Sequence, residues 1–186
     1  MAIKRYSADA DNTITNAFQE NLTTRGTGSN MGQADILETF SIYAQESATS
    51  TELSRIILKF PVIEQIKADK DAGVIPATGV TYYLKMFNAR HPHTLPKNYK
   101  LDVLAVSSSW EEGNGLDMEG YTDVTYDDIG SNWIRSAGST AWTTAGGDYH
   151  ASPIYSASFD KGDEDLEVNV TTLVDEWINS DKENYG

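Results

Sequence analysis

The chain has 186 residues, enough for one sizeable core in a single domain. It contains no cysteine, which excludes a disulfide framework, a thiolate nucleophile and any cysteine-based zinc site. Its formal net charge of −14 is divided unevenly: residues 1–100 carry 10 acidic and 11 basic side chains (+1), whereas residues 101–186 carry 18 and 3 (−15), a surface that repels phosphate backbones and speaks against nucleic-acid binding.

The opening MAIKRYSADADN lacks the run of about 7–15 apolar residues of an export signal. No stretch approaches the roughly 18 apolar residues of a membrane span. A soluble chain is expected. Beyond this start, apolar residues recur with period two in short runs broken by Gly, Asn, Asp, Ser and Thr, which predicts antiparallel strands with one buried face and an all-β class.

Residues 25–32 (RGTGSNMG) hold three glycines but no strand before and no helix after, so they predict a turn rather than a phosphate-cradling loop. Residues 36–44 (ILETFSIYA) predict a strand with Phe40, Ile42 and Ala44 on one face. Residues 53–60 (LSRIILKF) predict a second, with Ile56, Leu58 and Phe60 inward and Arg55, Ile57 and Lys59 opposite. Residues 62–70 (VIEQIKADK) carry helical spacing over a turn or so.

Residues 81–87 place Tyr82, Leu84 and Met86 against Tyr83, Lys85 and Phe87, and residues 99–106 alternate through Tyr99, Leu101, Val103 and Ala105. Between them RHPHTLPKN reads as a proline-broken connection, in which His91 and His93 have no signalled third metal ligand. Residues 171–180 (TTLVDEWINS) predict a short C-terminal helix with a threonine cap and Leu173, Val174, Trp177 and Ile178 on one face.

Residues 111–158 form a long excursion with short strands of its own, and long connections are often functional. Its first part, WEEGNGLDMEGYTDVTYDDIGSNW, holds seven carboxylates and no basic residue. Glu111, Glu112, Asp117, Asp123, Asp127 and Asp128 could supply oxygens to calcium, which takes six to eight ligands. The spacing of the twelve-residue calcium loop is missing, so a solvated loop competes with a bound cation. Trp110, Tyr121, Trp133 and Trp142 are candidate platforms for sugar rings, or anchors that pin the excursion to the sheet. A glycosidase would need a defined carboxylate pair, and no pair stands out; the hydrolase motifs G-x-S-x-G and H-E-x-x-H do not occur.

Five pieces in order, ADADNTIT (8–15), NMGQADILETF (30–40), SRIILKFPV (54–62), SWEEGNG (109–115) and VNVTTLVDEWIN (168–179), resemble the DNRLRE-domain family of jelly-roll modules similar to carbohydrate-binding modules. The resemblance covers most of the chain and implies an antiparallel β-sandwich in which these pieces are structural, with Arg55, Leu58 and Phe60 building the sandwich and Thr172–Trp177 closing one end. LTTRGTGSNMG, SNWIRSAGSTAWTTAGGDYH and the short start also resemble virion proteins of marine tailed phages.

The expectation is therefore one jelly-roll domain over residues 1–186, the N-terminal part of a longer chain whose final strands lie beyond residue 186. Its role would be non-enzymatic: a bacteriophage virion structural protein, either capsid decoration or a neck or tail appendage, assembling with other virion proteins and with itself. The alternative is a carbohydrate-binding module or adhesin that attaches to surface polysaccharide. Neither nucleic acid nor membrane is an expected partner.

Overall fold

The computed structural model describes residues 3–90, 95–116 and 129–186. Among them the order is β1 (Ala10–Thr15), β2 (Ser41–Tyr43), β3 (Thr51–Lys59), α1 (Ile63–Asp71), β4 (Tyr83–Met86), β5 (Tyr99–Val103), β6 (Arg135–Ala137), β7 (Thr140–Ala141), β8 (Tyr155–Phe159), β9 (Leu166–Asn169) and α2 (Thr171–Ile178). The fold is mostly short antiparallel strands with two short helices, and no described helix is long and apolar enough to cross a membrane. Contacts divide the chain into two compact units, each with its own core.

One unit contains residues 61–105 and 150–184 together with the segment up to Tyr6. Its strands form two antiparallel ribbons, β4 with β9 and β5 with β8. The expected alternation holds: Leu84 and Met86 of β4 and Tyr99, Leu101 and Val103 of β5 turn onto a core of Phe159, Leu166, Val168, Leu173, Val174 and Trp177. Tyr99 stacks on Phe159 with ring centroids 4.8 Å apart, adding an aromatic cross-strand pair to the ladder.

Both helices of this unit end alike. After α1, the Gly73 N–H donates to the Lys70 carbonyl and the Val74 N–H to the Asp69 carbonyl, with Gly73 at φ +68°. After α2, Ser180 and Asp181 repeat the pattern onto Trp177 and Glu176, with Ser180 at φ +63°. This left-handed C-terminal closure satisfies orphan carbonyls. α1 is a full nine-residue helix, longer than the turn or so expected, so the described residues hold two helices and not one. α2 buries Leu173, Val174 and Trp177 as expected. Its cap differs: Val170 holds the N-cap position, and the Asn169 side chain accepts from the Thr171 N–H. Thr171 instead receives the Tyr82 N–H on its hydroxyl, tying the helix start to β4.

The other unit contains residues 7–60, 106–149 and 185–186. Here β3 is central in a three-stranded antiparallel sheet ordered β1-β3-β2, with Ile14 opposite Arg55 and Asn12 opposite Ile57. The strand expected over 36–44 is confined to Ser41–Tyr43, because Ala44 takes φ +59° and Ile36 is exposed. On β3 the expected faces are exchanged: Ile57 is buried with Ile14, Trp110, Trp133 and Trp142, while Ile56 and Leu58 are half-buried. Three consecutive apolar residues leave the strand's alternation ambiguous, and the tryptophans contributed by the long excursion decide which side is core.

Candidate functional site

A buried polar arrangement in the second unit is assembled from residues far apart in sequence. β1 is buried on both faces, so Asn12 is fully enclosed and must satisfy its amide inside the protein. Its Nδ2 donates to the carbonyl and the hydroxyl of Ser131, both at 2.9 Å, and its Oδ1 accepts the Met31 N–H at 2.9 Å. Asn30, 2% exposed, donates to the carbonyls of Glu112 (2.6 Å) and Ser131 (2.7 Å), and its Oδ1 accepts from Gly115 (2.7 Å) and Gly32 (3.2 Å). Two asparagine amides thus add to the few backbone bonds, such as the Ser131 N–H to the Glu111 carbonyl at 2.7 Å, that tie together the irregular chain at 29–32, 111–115 and 130–132.

Glycines allow this close approach. A Cβ on Gly115 would overlap the Asn30 carbonyl, one on Gly113 would meet the Asn30 amide, and one on Gly32 the Glu112 carbonyl. Glu112 adds a strut, its Oε1 accepting the Asp11 N–H at 2.9 Å. Burial, and then the nearby Glu112 carboxylate, push the Asp11 carboxyl above the ordinary aspartate range. Four of the five pieces singled out in the sequence, those containing Asn12, Asn30, Arg55 and Glu112, lie in this unit apart from residues 61–62.

The sequence-derived sugar platforms are differently placed. Trp110, Trp133 and Trp142 are buried, at 6%, 8% and 5% exposure, and offer no open face for stacking. Trp110 donates its indole N–H to the Tyr185 carbonyl (2.7 Å) and Trp142 to the Asn132 carbonyl (2.8 Å). Trp133 lies under the Arg55 guanidinium, 5.1 Å from its ring, while Arg55 also faces Tyr149 at 5.4 Å and donates to the Gly146 carbonyl at 2.6 Å. Tyr121 lies outside the described residues.

Of the calcium candidates, Asp117, Asp123, Asp127 and Asp128 lie outside the described residues, as do His91 and His93. Glu111 is exposed and Glu112 is engaged as above. Among the described residues no group of three His, Cys, Asp or Glu side chains is placed to hold a metal ion.

Open depressions also occur among the described residues. One, of about 360 Å³, is lined by Ser107, Ser108, Thr143, Thr144, Gly147, Asp148 and Tyr149. Its carboxylate is committed to the turn, accepting the N–H groups of Thr143 (2.8 Å) and Thr144 (2.9 Å) and, more loosely, the Ser108 hydroxyl (3.3 Å). Burial raises the Asp148 carboxyl, but these hydrogen bonds outweigh it and leave it below the usual range. The other, of about 410 Å³ in the first unit, is lined by Asn88, Ala89, Arg90, Leu95, Asp163 and Asp165, where Asp165 accepts the Asn88 N–H.

Sequence reading also missed Glu52, which is 1% exposed. Its Oε2 accepts the Phe18 N–H at 2.8 Å, and its Oε1 has no hydrogen-bond partner among the described residues. No motif marks it, because its bonding partner, the Phe18 N–H, comes from a distant part of the chain. No family model, curated protein or solved structure matches this chain significantly.

Proposed function

We propose that this chain is a non-enzymatic structural protein of a tailed-phage particle, a head-decoration or neck or tail appendage component that works by protein–protein assembly. The observation that carries the reading is the commitment of Asn12, Asn30 and Glu112 to backbone groups in a buried knot. The distinctive polar residues of the family-like pieces are used to hold irregular chain in one shape, which suits a rigid building block. The finer architecture we propose is an antiparallel β-sandwich of the jelly-roll type that the resemblance implies. The strongly acidic 101–186 half would face solvent or a basic neighbour, and the near-neutral first hundred residues would pack more readily on other particle proteins.

Density-gradient fractionation of the source culture, following this polypeptide by mass spectrometry, tests the reading. Co-sedimentation with virus-sized particles is the expected result. Recovery solely in soluble or cell-wall fractions would overturn it.

A further inference from the structure

Among the described residues, nothing pairs with the outer edge of β4. Extending the β4–β9 register pairs Tyr82 with Val170, and the Val170 N–H donates to the Tyr82 carbonyl at 2.9 Å. That bond sets the alternation of the antiparallel ladder: backbone groups of Leu84 and Met86 face β9, and those of Tyr83, Lys85 and Phe87 face away. β9 is the only strand paired with β4 among the described residues, and no described group bonds the outward N–H and C=O of Tyr83 or Lys85. The side chains beside this edge are also open, with Tyr83 51% and Phe87 75% exposed. Lys85 stands between them, reaching sideways to Glu167 at 2.6 Å.

We propose that this edge pairs with the same edge of a second copy of the chain, antiparallel about a two-fold axis at Leu84. In that register Tyr83 of each copy lies opposite Lys85 of the other, and Thr81 opposite Phe87. The outward groups of each strand then meet their counterparts, and each ammonium meets an aromatic ring instead of a second ammonium. The chain already makes this contact elsewhere, with Lys70 over Tyr82 and Lys4 over Tyr6. Charge selects the place: residues 72–101 hold Lys85, Arg90, Lys97 and Lys100 and no carboxylate, the longest acid-free stretch of the sequence. β4 itself brings no carboxylate to the contact, and the neighbouring Glu167 of β9 is ion-paired with Lys85 at 2.6 Å, so two chains of net charge −14 meet there with little repulsion. A closed two-fold contact of this kind uses up the edge instead of propagating it. The inference concerns how the chain meets itself and stands whether or not the particle reading does.

Sedimentation equilibrium of the purified chain tests it, with amide hydrogen exchange followed over the same concentration series. The expected result is a weak dimer, Kd on the order of 0.1 mM as suits a small interface, with exchange at Tyr83 and Lys85 slowing as concentration rises. Lys85→Pro removes an outward N–H and no bond to β9, so it should weaken dimerisation at least about tenfold with the unfolding midpoint nearly unchanged. Should that variant misfold, Lys85→Gln, which removes the ammonium that meets the partner's Tyr83 and sets no carboxylate against Glu167, should also weaken dimerisation with the unfolding midpoint nearly unchanged. A monomer mass up to ~1 mM, or a dimer that leaves exchange at Tyr83 and Lys85 unchanged, would overturn the proposal. So would slowed exchange at that edge that appears only when a different protein is added.

Discussion

Asn12 and Asn30 share one acceptor: both side-chain amides donate to the Ser131 carbonyl, at 2.9 and 2.7 Å. The sharing joins β1, the loop after it and the middle of the long excursion. Replacing Asn30 by alanine leaves the Glu112 carbonyl and the Gly115 N–H without this partner in a buried setting. Each such orphan costs about 1–3 kcal/mol, so Asn30→Ala should destabilise by roughly 3 kcal/mol or more in denaturant unfolding. Asn30→Asp should be no better, since a carboxylate can accept from Gly115 but cannot donate to two carbonyls.

Gly115 supplies a separate check on the same knot. A methyl group there would occupy the position of the Asn30 carbonyl, which is backbone and cannot swing aside. Gly115→Ala is expected to cost several kcal/mol, on the order of other overpacked or strained core positions. Gly79→Ala is a useful contrast, because its Cβ would meet nothing within 4 Å. Its penalty comes from its φ of +72° alone, about 1 kcal/mol or slightly more. Equal unfolding midpoints for the two variants would contradict the account.

Glu52→Gln should leave the protein as stable or make it more so. The substitution keeps an oxygen for the Phe18 N–H and removes a buried charge whose second oxygen has no partner. Glu52→Leu, which also abolishes the bond to Phe18, is expected to lose about 1–3 kcal/mol relative to the glutamine. Thermal unfolding of the pair separates charge removal from loss of the hydrogen bond.

Tyr6 links the first unit to alkaline pH. Its hydroxyl donates to Asp69 Oδ2 at 2.8 Å, and Lys4 approaches the same oxygen at 3.4 Å. Burial, then the hydrogen bond and the charge of Asp69, raise the phenol above its ordinary value of 10.0. The folded state therefore holds this proton more tightly than the unfolded chain does. The stabilisation is fully present below about pH 10 and is lost progressively as pH rises above it. Denaturant midpoints measured from neutral pH to about pH 11 should fall with a slope that Tyr6→Phe reduces. An unchanged slope would remove Tyr6 from the explanation.

Several elements were legible because their causes are local. The alternation of Tyr82, Leu84 and Met86 fixes the inward face of β4, and Leu173, Val174 and Trp177 fix that of α2. Each pattern follows from the repeat of its own secondary structure. The length of α1 was also written locally, in Gly73, whose positive φ completes the closing turn; periodicity over 62–70 understates the helix because it ignores that stop signal.

By itself, then, the sequence determined the strand-rich class, the acidic surface, the exclusion of cysteine chemistry and the faces of strands with one apolar side. Tertiary structure alone decided that Ile57 and not Ile56 points to the tryptophan cluster, that Trp110, Trp133 and Trp142 are enclosed, and that Asn12 and Asn30 meet at Ser131. The physical reason is the same in each case. Burial and hydrogen-bond satisfaction depend on groups brought from distant parts of the chain, and a residue's own neighbours in sequence carry no record of which carbonyl or ring will arrive beside it.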